Sequence, residues 1–223
     1  MNGPEIYGTI FGFQITETIV NTWIIMAIAF VIFYALTRNL KAEGSPGKAQ
    51  VIGETIVTMM DSLVGSTMGK DKMQFGAYML SLMMFLVFCN VSGFIGLRAP
   101  TADLNVTSTL AIMTFCMIHY SSIKSNGIKR YAKEYIEPLP FLLPMNILEQ
   151  FTLPLSMGFR VFGNLTGGVI IMGLVYGALS EKLFLGLLIP IPLHFYFDGF
   201  VAALQSFVFT MLTMVFVAKG IDE

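Results

Sequence analysis

Long uncharged apolar runs alternate along the chain with short polar interruptions, a rhythm that predicts helices crossing a bilayer. Charge is absent from residues 18–37, 73–97, 104–123, 161–180, 183–197 and 199–218. A helix needs about 20 mostly apolar residues to traverse some 30 Å of hydrocarbon. The runs do not alternate with period two, so they do not read as barrel strands, which need about ten alternating residues. Spans are expected at 17–37, 73–97 and 105–123, and two longer helical regions at 145–180 and 183–218. A helix over 145–180 would be about 54 Å long at ~1.5 Å per residue. That exceeds a perpendicular crossing, so both long helices are expected to be strongly tilted, with Pro154, Pro190 and Pro192 as bend points.

Residues 49–69 follow another pattern. Ile52, Ile56, Met60 and Leu63 form one helical stripe, while Glu54, Thr58, Asp61 and Ser62 lie away from it. Two carboxylates oppose crossing, so this segment is expected to lie in the membrane interface as an amphipathic helix. Lys70, Asp71 and Lys72 end it. Turn residues Gly44, Pro46 and Gly47 precede it, and Pro138, Pro140 and Pro144 mark an irregular linker before the fourth span. The expected fold is a single all-α polytopic membrane domain, residues 1–223, with about five crossings and one interfacial helix. No internal repeat of 20–50 residues is evident.

Composition agrees with this pattern and narrows the function. Of the 223 residues, 55% are hydrophobic and 12% charged, about half the charge of an ordinary soluble domain. A net charge of −1 with no basic patch argues against nucleic acid as a partner. Cys89 and Cys116 both lie in apolar runs and read as small buried side chains; no metal-ligand spacing and no cofactor motif occurs. Basic residues cluster at 38–72, at 124–133 and at Lys219, against only Arg98 and Lys182 in the opposite loops. The positive-inside rule then places residues 1–16 outside and the C-terminus in the cytoplasm. Asn21 and Trp23 interrupt the start of the first apolar run, which is expected to be a retained span rather than a cleaved signal.

Two ionisable residues stand where charge is costly. Arg160 is the only charge between Glu149 and Glu181, and Asp198 the only one between Lys182 and Lys219. At a helix centre each costs about 2.5 to 3.5 kcal/mol on insertion scales, and such residues mark ion paths by default. A buried Arg–Asp pair that merely locks two helices is the alternative, but an arginine that stays charged at any pH suits an ion path better than a lock. Asn164 follows Arg160 by one turn. On the last helix Asp198, Ala202 and Gln205 share one face, and His194 lies one turn before Asp198. A lone histidine there is more often packed than a relay member, though an imidazole can carry a proton. His119, beside Tyr120, reads as interfacial. The glycine pairs Gly163/Gly167 and Gly173/Gly177 read first as packing positions.

Four segments resemble subunit a of rotary F-type ATP synthases, of bacterial type. Met157-Gly158-Phe159-Arg160-Val161-Phe162-Gly163-Asn164 is similar to that family's arginine signature, and Gln205-Ser206-Phe207-Val208-Phe209 to its C-terminal segment. Pro100-Thr101-Ala102-Asp103-Leu104-Asn105 and Pro144-Met145-Asn146-Ile147-Leu148-Glu149 match two further motifs, in the family's order. The resemblance covers about residues 10–218. It implies a non-catalytic stator in the bacterial plasma membrane that carries H⁺ or Na⁺, facing a ring of c subunits and held by peripheral-stalk b subunits. It implies that Arg160 separates two half-channels, with Asn164 and Gln205 positioning it. Asp198, Asn90 and Asp103 would lie toward the outer entrance and Glu149 toward the cytoplasmic exit. The chain departs from the pattern at Val169, where some members carry a carboxylate, so the outer path would rest on Asp198, with His194 and water. The rival functions are a stand-alone secondary ion transporter, against which no matched pair of broken spans appears, and a membrane scaffold subunit.

Overall fold

A computed structural model describes residues 6–10, 13–38, 40, 47–95, 97–134, 141, 143–179 and 188–222. The expected loop residues Lys41, Gly44, Pro46, Pro138, Pro140, Glu181 and Lys182 lie outside them. Among the described residues six helices dominate: α1 (Glu17–Thr37), α2 (Lys48–Thr67), α3 (Gly76–Val91), α4 (Leu104–Glu134), α5 (Leu143–Leu179) and α6 (Pro190–Asp222). Five stretches among the described residues are long and apolar enough to cross a membrane: α1, α4 through Tyr131, α5, α6, and α3 with its flanking turns. The chain is an all-α polytopic membrane protein. Among the described residues two strands stand apart from the helices: β1 (Ile6–Ile10) pairs antiparallel with β2 (Phe13–Thr16) immediately before α1.

Several elements differ from the sequence expectation for identifiable reasons. The α-helical part of the second span covers only 16 residues, about 24 Å at ~1.5 Å per residue. 3₁₀ segments at Lys70–Phe75, kinked at Lys72, and at Ser92–Ile95 extend it to the length of a crossing. The helix of the third span continues past residue 123. It carries Lys124, Lys129, Arg130 and Lys133 as far as Glu134 and changes direction at Gly127, whose φ of 78° favours glycine. Across that change of direction, the Tyr131 hydroxyl and His119 Nδ1 lie 3.0 Å apart.

The prolines behave differently from each other. Pro190 and Pro192 occupy the first turn of α6, where a missing N–H costs no helical hydrogen bond, so they start the helix rather than bend it. Pro154 sits inside α5 and is buried. The irregularity of α6 comes just after its prolines: Phe195–Val201 is π-helical, and α-helix resumes from Ala202.

Two apolar clusters hold the helices together. One joins Leu82 and Leu86 of α3, Leu110 of α4, Met157, Val161 and Leu165 of α5, and Phe209 of α6. The other joins Met60 and Val64 of α2, and Met68 just beyond it, to Met79, Ile118, Met214 and Val217. On α5 the buried positions Met157, Val161, Leu165, Gly168 and Met172 recur at helical spacing and define its inner face. Gly158 allows α4 close: a Cβ there would stand 3.2 Å from both Ala111 Cβ and the Thr107 carbonyl oxygen. The end of α6 is tied down by an ion pair between Asp222 and the buried Lys72 ammonium.

Candidate functional site

The unusual polar residues lie mainly where α5 and α6 run antiparallel. Asn164 donates from Nδ2 to Gln205 Oε1 at 2.7 Å, and farther along the same pair the Tyr176 hydroxyl lies 2.9 Å from His194 Nε2. Moving from the first contact to the second advances α5 by 12 residues and retreats along α6 by 11, which is one common register. Gly168 fits between them; a Cβ there would touch the Phe197 ring at 3.4 Å. Val169, next to Gly168, therefore lies close to the level of Asp198, but it is exposed.

Arg160 lies one turn before Asn164, outside the inner face of α5. Its side chain is exposed and takes part in no hydrogen bond or ion pair among the described residues. Both immediate flanks of its helix are tightly packed, with Met157 and Val161 in the core. The backbone is thus fixed while the guanidinium is presented outward. The pure Arg–Asp lock is not formed, because the partner of Asp198 is His194.

His194 Nδ1 lies 2.5 Å from Asp198 Oδ2, so Tyr176, His194 and Asp198 form one hydrogen-bonded string from α5 to α6. Asp198 sits within the π-helical turn. Such turns are rare and frequent at functional sites. Its side chain is 23% exposed and that of His194 38% exposed, so both are reachable from outside the protein. The turn after α3 closes on this segment through two glycines. A Cβ at Gly93 would lie 3.4 Å from Asp198 Cγ, and one at Gly199 would lie 2.9 Å from Phe94 Cζ.

Asn90 has a different setting. It is 1% exposed, and its amide donates to Ser206 Oγ at 2.8 Å and to the Ala202 carbonyl at 3.2 Å, while its Oδ1 accepts from the Thr101 hydroxyl. This network binds α3, α6 and the Pro100–Ala102 turn beside Gln205, which is itself buried. Asp103 caps α4: Oδ1 accepts the Asn105 N–H at 3.0 Å and Oδ2 accepts the Thr18 hydroxyl at 3.0 Å. Glu149 is exposed on α5, with no ion pair among the described residues.

The structure therefore brings together Asn164 with Gln205 and His194 with Asp198. It places Asn90 against Ser206, the residue after Gln205, and leaves Arg160, Asp103 and Glu149 apart from these pairs. Sequence reasoning missed Tyr176, Thr101 and Ser206. Tyr176 did leave one signal: it carries the sole phenol in the uncharged run 161–180. The described residues contain no cluster able to hold a metal ion.

A multi-span helical protein that exposes an arginine from one crossing helix and threads carboxylate, imidazole and amide groups along the next belongs to the class of ion-translocating membrane proteins. More narrowly, the chain belongs to the ATP synthase A chain family, whose model matches residues 19–218. It is 34% identical to the ATP synthase subunit a, sodium ion specific, of Propionigenium modestum, over 98% of this chain and 78% of that one. It is 35% identical to the ATP synthase subunit a of Bacillus subtilis (strain 168), over 95% and 93%. With the same subunit of Legionella pneumophila (strain Philadelphia 1) the identity is 33%, over 95% and 89%. Its function is that of the ion-translocating stator in the membrane sector of the ATP synthase.

Proposed function

We propose that Arg160 separates two half-channels through which H⁺ or Na⁺ reaches, and leaves, carboxylates carried on a rotating ring of c subunits. The observation that supports this reading is the exposed guanidinium on a membrane-crossing helix with no partner among the described residues. Facing lipid, such a charge costs about 2.5 to 3.5 kcal/mol; a carboxylate supplied by another subunit removes that penalty. A fixed positive charge also favours the ionised form of a carboxylate that approaches it. Each arriving ring carboxylate therefore gives up its ion before passing Arg160. The same charge repels any cation moving directly from one half-channel to the other.

The remaining roles follow along the helices. Asp198, with His194, passes ions from the outer side, and Asn90 and Asp103 shape the polar region near that entrance. Glu149 serves the cytoplasmic exit. Asn164 and Gln205, bonded to each other, fix the helix turn from which Arg160 projects. ATP chemistry resides on other subunits, and b subunits of a peripheral stalk hold this chain against rotation. The segment 49–69 lies in the interface, the N-terminus faces outward and the C-terminus the cytoplasm, in a bacterial plasma membrane.

The test is ATP synthesis by reconstituted complexes driven by an imposed ion gradient, with and without Na⁺. Arg160→Lys and Arg160→Ala are expected to abolish synthesis while the complex still assembles, and Asp198→Asn to slow ion passage without detaching the ring. Normal synthesis by the Arg160 variants would overturn the assignment. Unchanged flux in Asp198→Asn would remove Asp198 from the path.

A further inference from the structure

Beyond the residues already assigned, the string on α5 and α6 contains a group with no role so far. We propose that Tyr176 is a positioning residue of the outer ion path, holding His194 in the tautomer that donates to Asp198. This rests on the reading that Asp198 lies on the path.

With Asp198 ionised and His194 neutral, the chemistry of the three groups leaves one arrangement in which both contacts are satisfied. An ionised Asp198 only accepts hydrogen bonds, and a neutral imidazole has one donor and one acceptor nitrogen. With Nδ1 at 2.5 Å from Asp198 Oδ2, the proton must sit on Nδ1. Nε2 is then bare, and the Tyr176 hydroxyl at 2.9 Å donates to it. The rings of Tyr176 and His194 also lie 5.9 Å apart between centroids.

Without that hydroxyl, the tautomer with its proton on Nε2 becomes accessible and turns a lone pair of Nδ1 against the carboxylate. Asp198 would then lose its donor and its fixed orientation. With Oδ2 held by His194, the other oxygen, Oδ1, is left as the exchange atom. A Cβ at residue 93 would stand 3.6 Å from Oδ1; glycine there leaves the space in front of it open. The path residues are thus arranged from α5 by Tyr176, from α6 by His194 and Asp198, and from the turn after α3 by the absence of a side chain at Gly93.

Tyr176→Phe keeps the ring and removes only the hydroxyl. In vesicles holding the complete synthase, gradient-driven ion flux should fall about two- to tenfold, the equivalent of one hydrogen bond. In a His194→Ala background the same change should have no further effect, because Tyr176 acts through His194. A second readout comes from ¹⁵N-histidine magnetic resonance of the full chain in lipid bilayers. The chain has two histidines, so His119→Gln assigns the signals. His194 should show a single Nδ1-protonated form in the native chain and a mixture of tautomers in Tyr176→Phe.

Native flux in Tyr176→Phe overturns the proposal, as does slowing that persists in the His194→Ala background or a tautomer that does not respond. An Asp198→Asn control separates the two claims. Slow flux there beside normal flux in Tyr176→Phe sinks this inference alone. Normal flux in Asp198→Asn sinks the reading beneath it.

Discussion

Asn90→Leu is the substitution whose cost the structure defines most fully. The native amide makes three contacts inside the helix bundle: to the Ser206 hydroxyl, to the Ala202 carbonyl and from the Thr101 hydroxyl. Polar contacts between membrane helices average about 0.6 kcal/mol, so the three together contribute about 2 kcal/mol. Leucine is of similar size and leaves little cavity. It does leave the Thr101 hydroxyl, which is fully buried, without its acceptor. An orphaned buried hydroxyl costs about 1–3 kcal/mol, giving about 3–5 kcal/mol for the single change. Ser206 is less affected, because it also donates to the Ala202 carbonyl at 2.9 Å.

The assay is thermal or denaturant unfolding of the purified chain in one fixed detergent, for Asn90→Leu, Thr101→Val and the double variant. The orphan penalty disappears once both partners are apolar, so the double variant should be less destabilised than the sum of the singles by about 1 kcal/mol or more. Additivity to within about 0.5 kcal/mol would refute the view that Asn90 and Thr101 form one buried unit.

Two other predictions concern how α6 is held. Gly199→Ala places a methyl 2.9 Å from the Phe94 ring tip; it should slow ion flux through Asp198, and Phe94→Leu should restore flux in the same vesicle assay. Asp222→Asn removes the exposed partner of a Lys72 ammonium whose side chain is 5% exposed. An unpaired buried charge costs more than losing the pair outright, so Asp222→Asn should lower the melting temperature more than Lys72→Met; the opposite order would refute that account of the C-terminal anchor.

What was legible in the sequence, and what was not, divides along physical lines. Length and hydropathy placed the apolar spans, because hydrocarbon thickness sets a requirement that local sequence alone can meet. The isolated charges Arg160 and Asp198 stood out for the same reason. One-turn spacing put His194 beside Asp198, since both lie on one helix. The contacts of Tyr176 with His194 and of Thr101 with Asn90 were invisible. They depend on the rotational phase of separate elements, which no spacing within one element records. The π-helical turn at Phe195–Val201 leaves no trace in composition, because it changes hydrogen bonding rather than residue type. The extension of α4 through its lysines was not legible, because charge ends the part of a helix that lies in hydrocarbon and need not end the helix itself.

The most direct test of the central claim is ATP-driven ion uptake into vesicles holding the complete synthase, comparing the native chain with Arg160→Ala, with and without Na⁺. If the exposed guanidinium of Arg160 is what meets the ring carboxylates, native vesicles accumulate the ion and Arg160→Ala vesicles accumulate none, although the ring remains associated with this chain. Uptake at the native rate by the assembled Arg160→Ala complex would contradict the account.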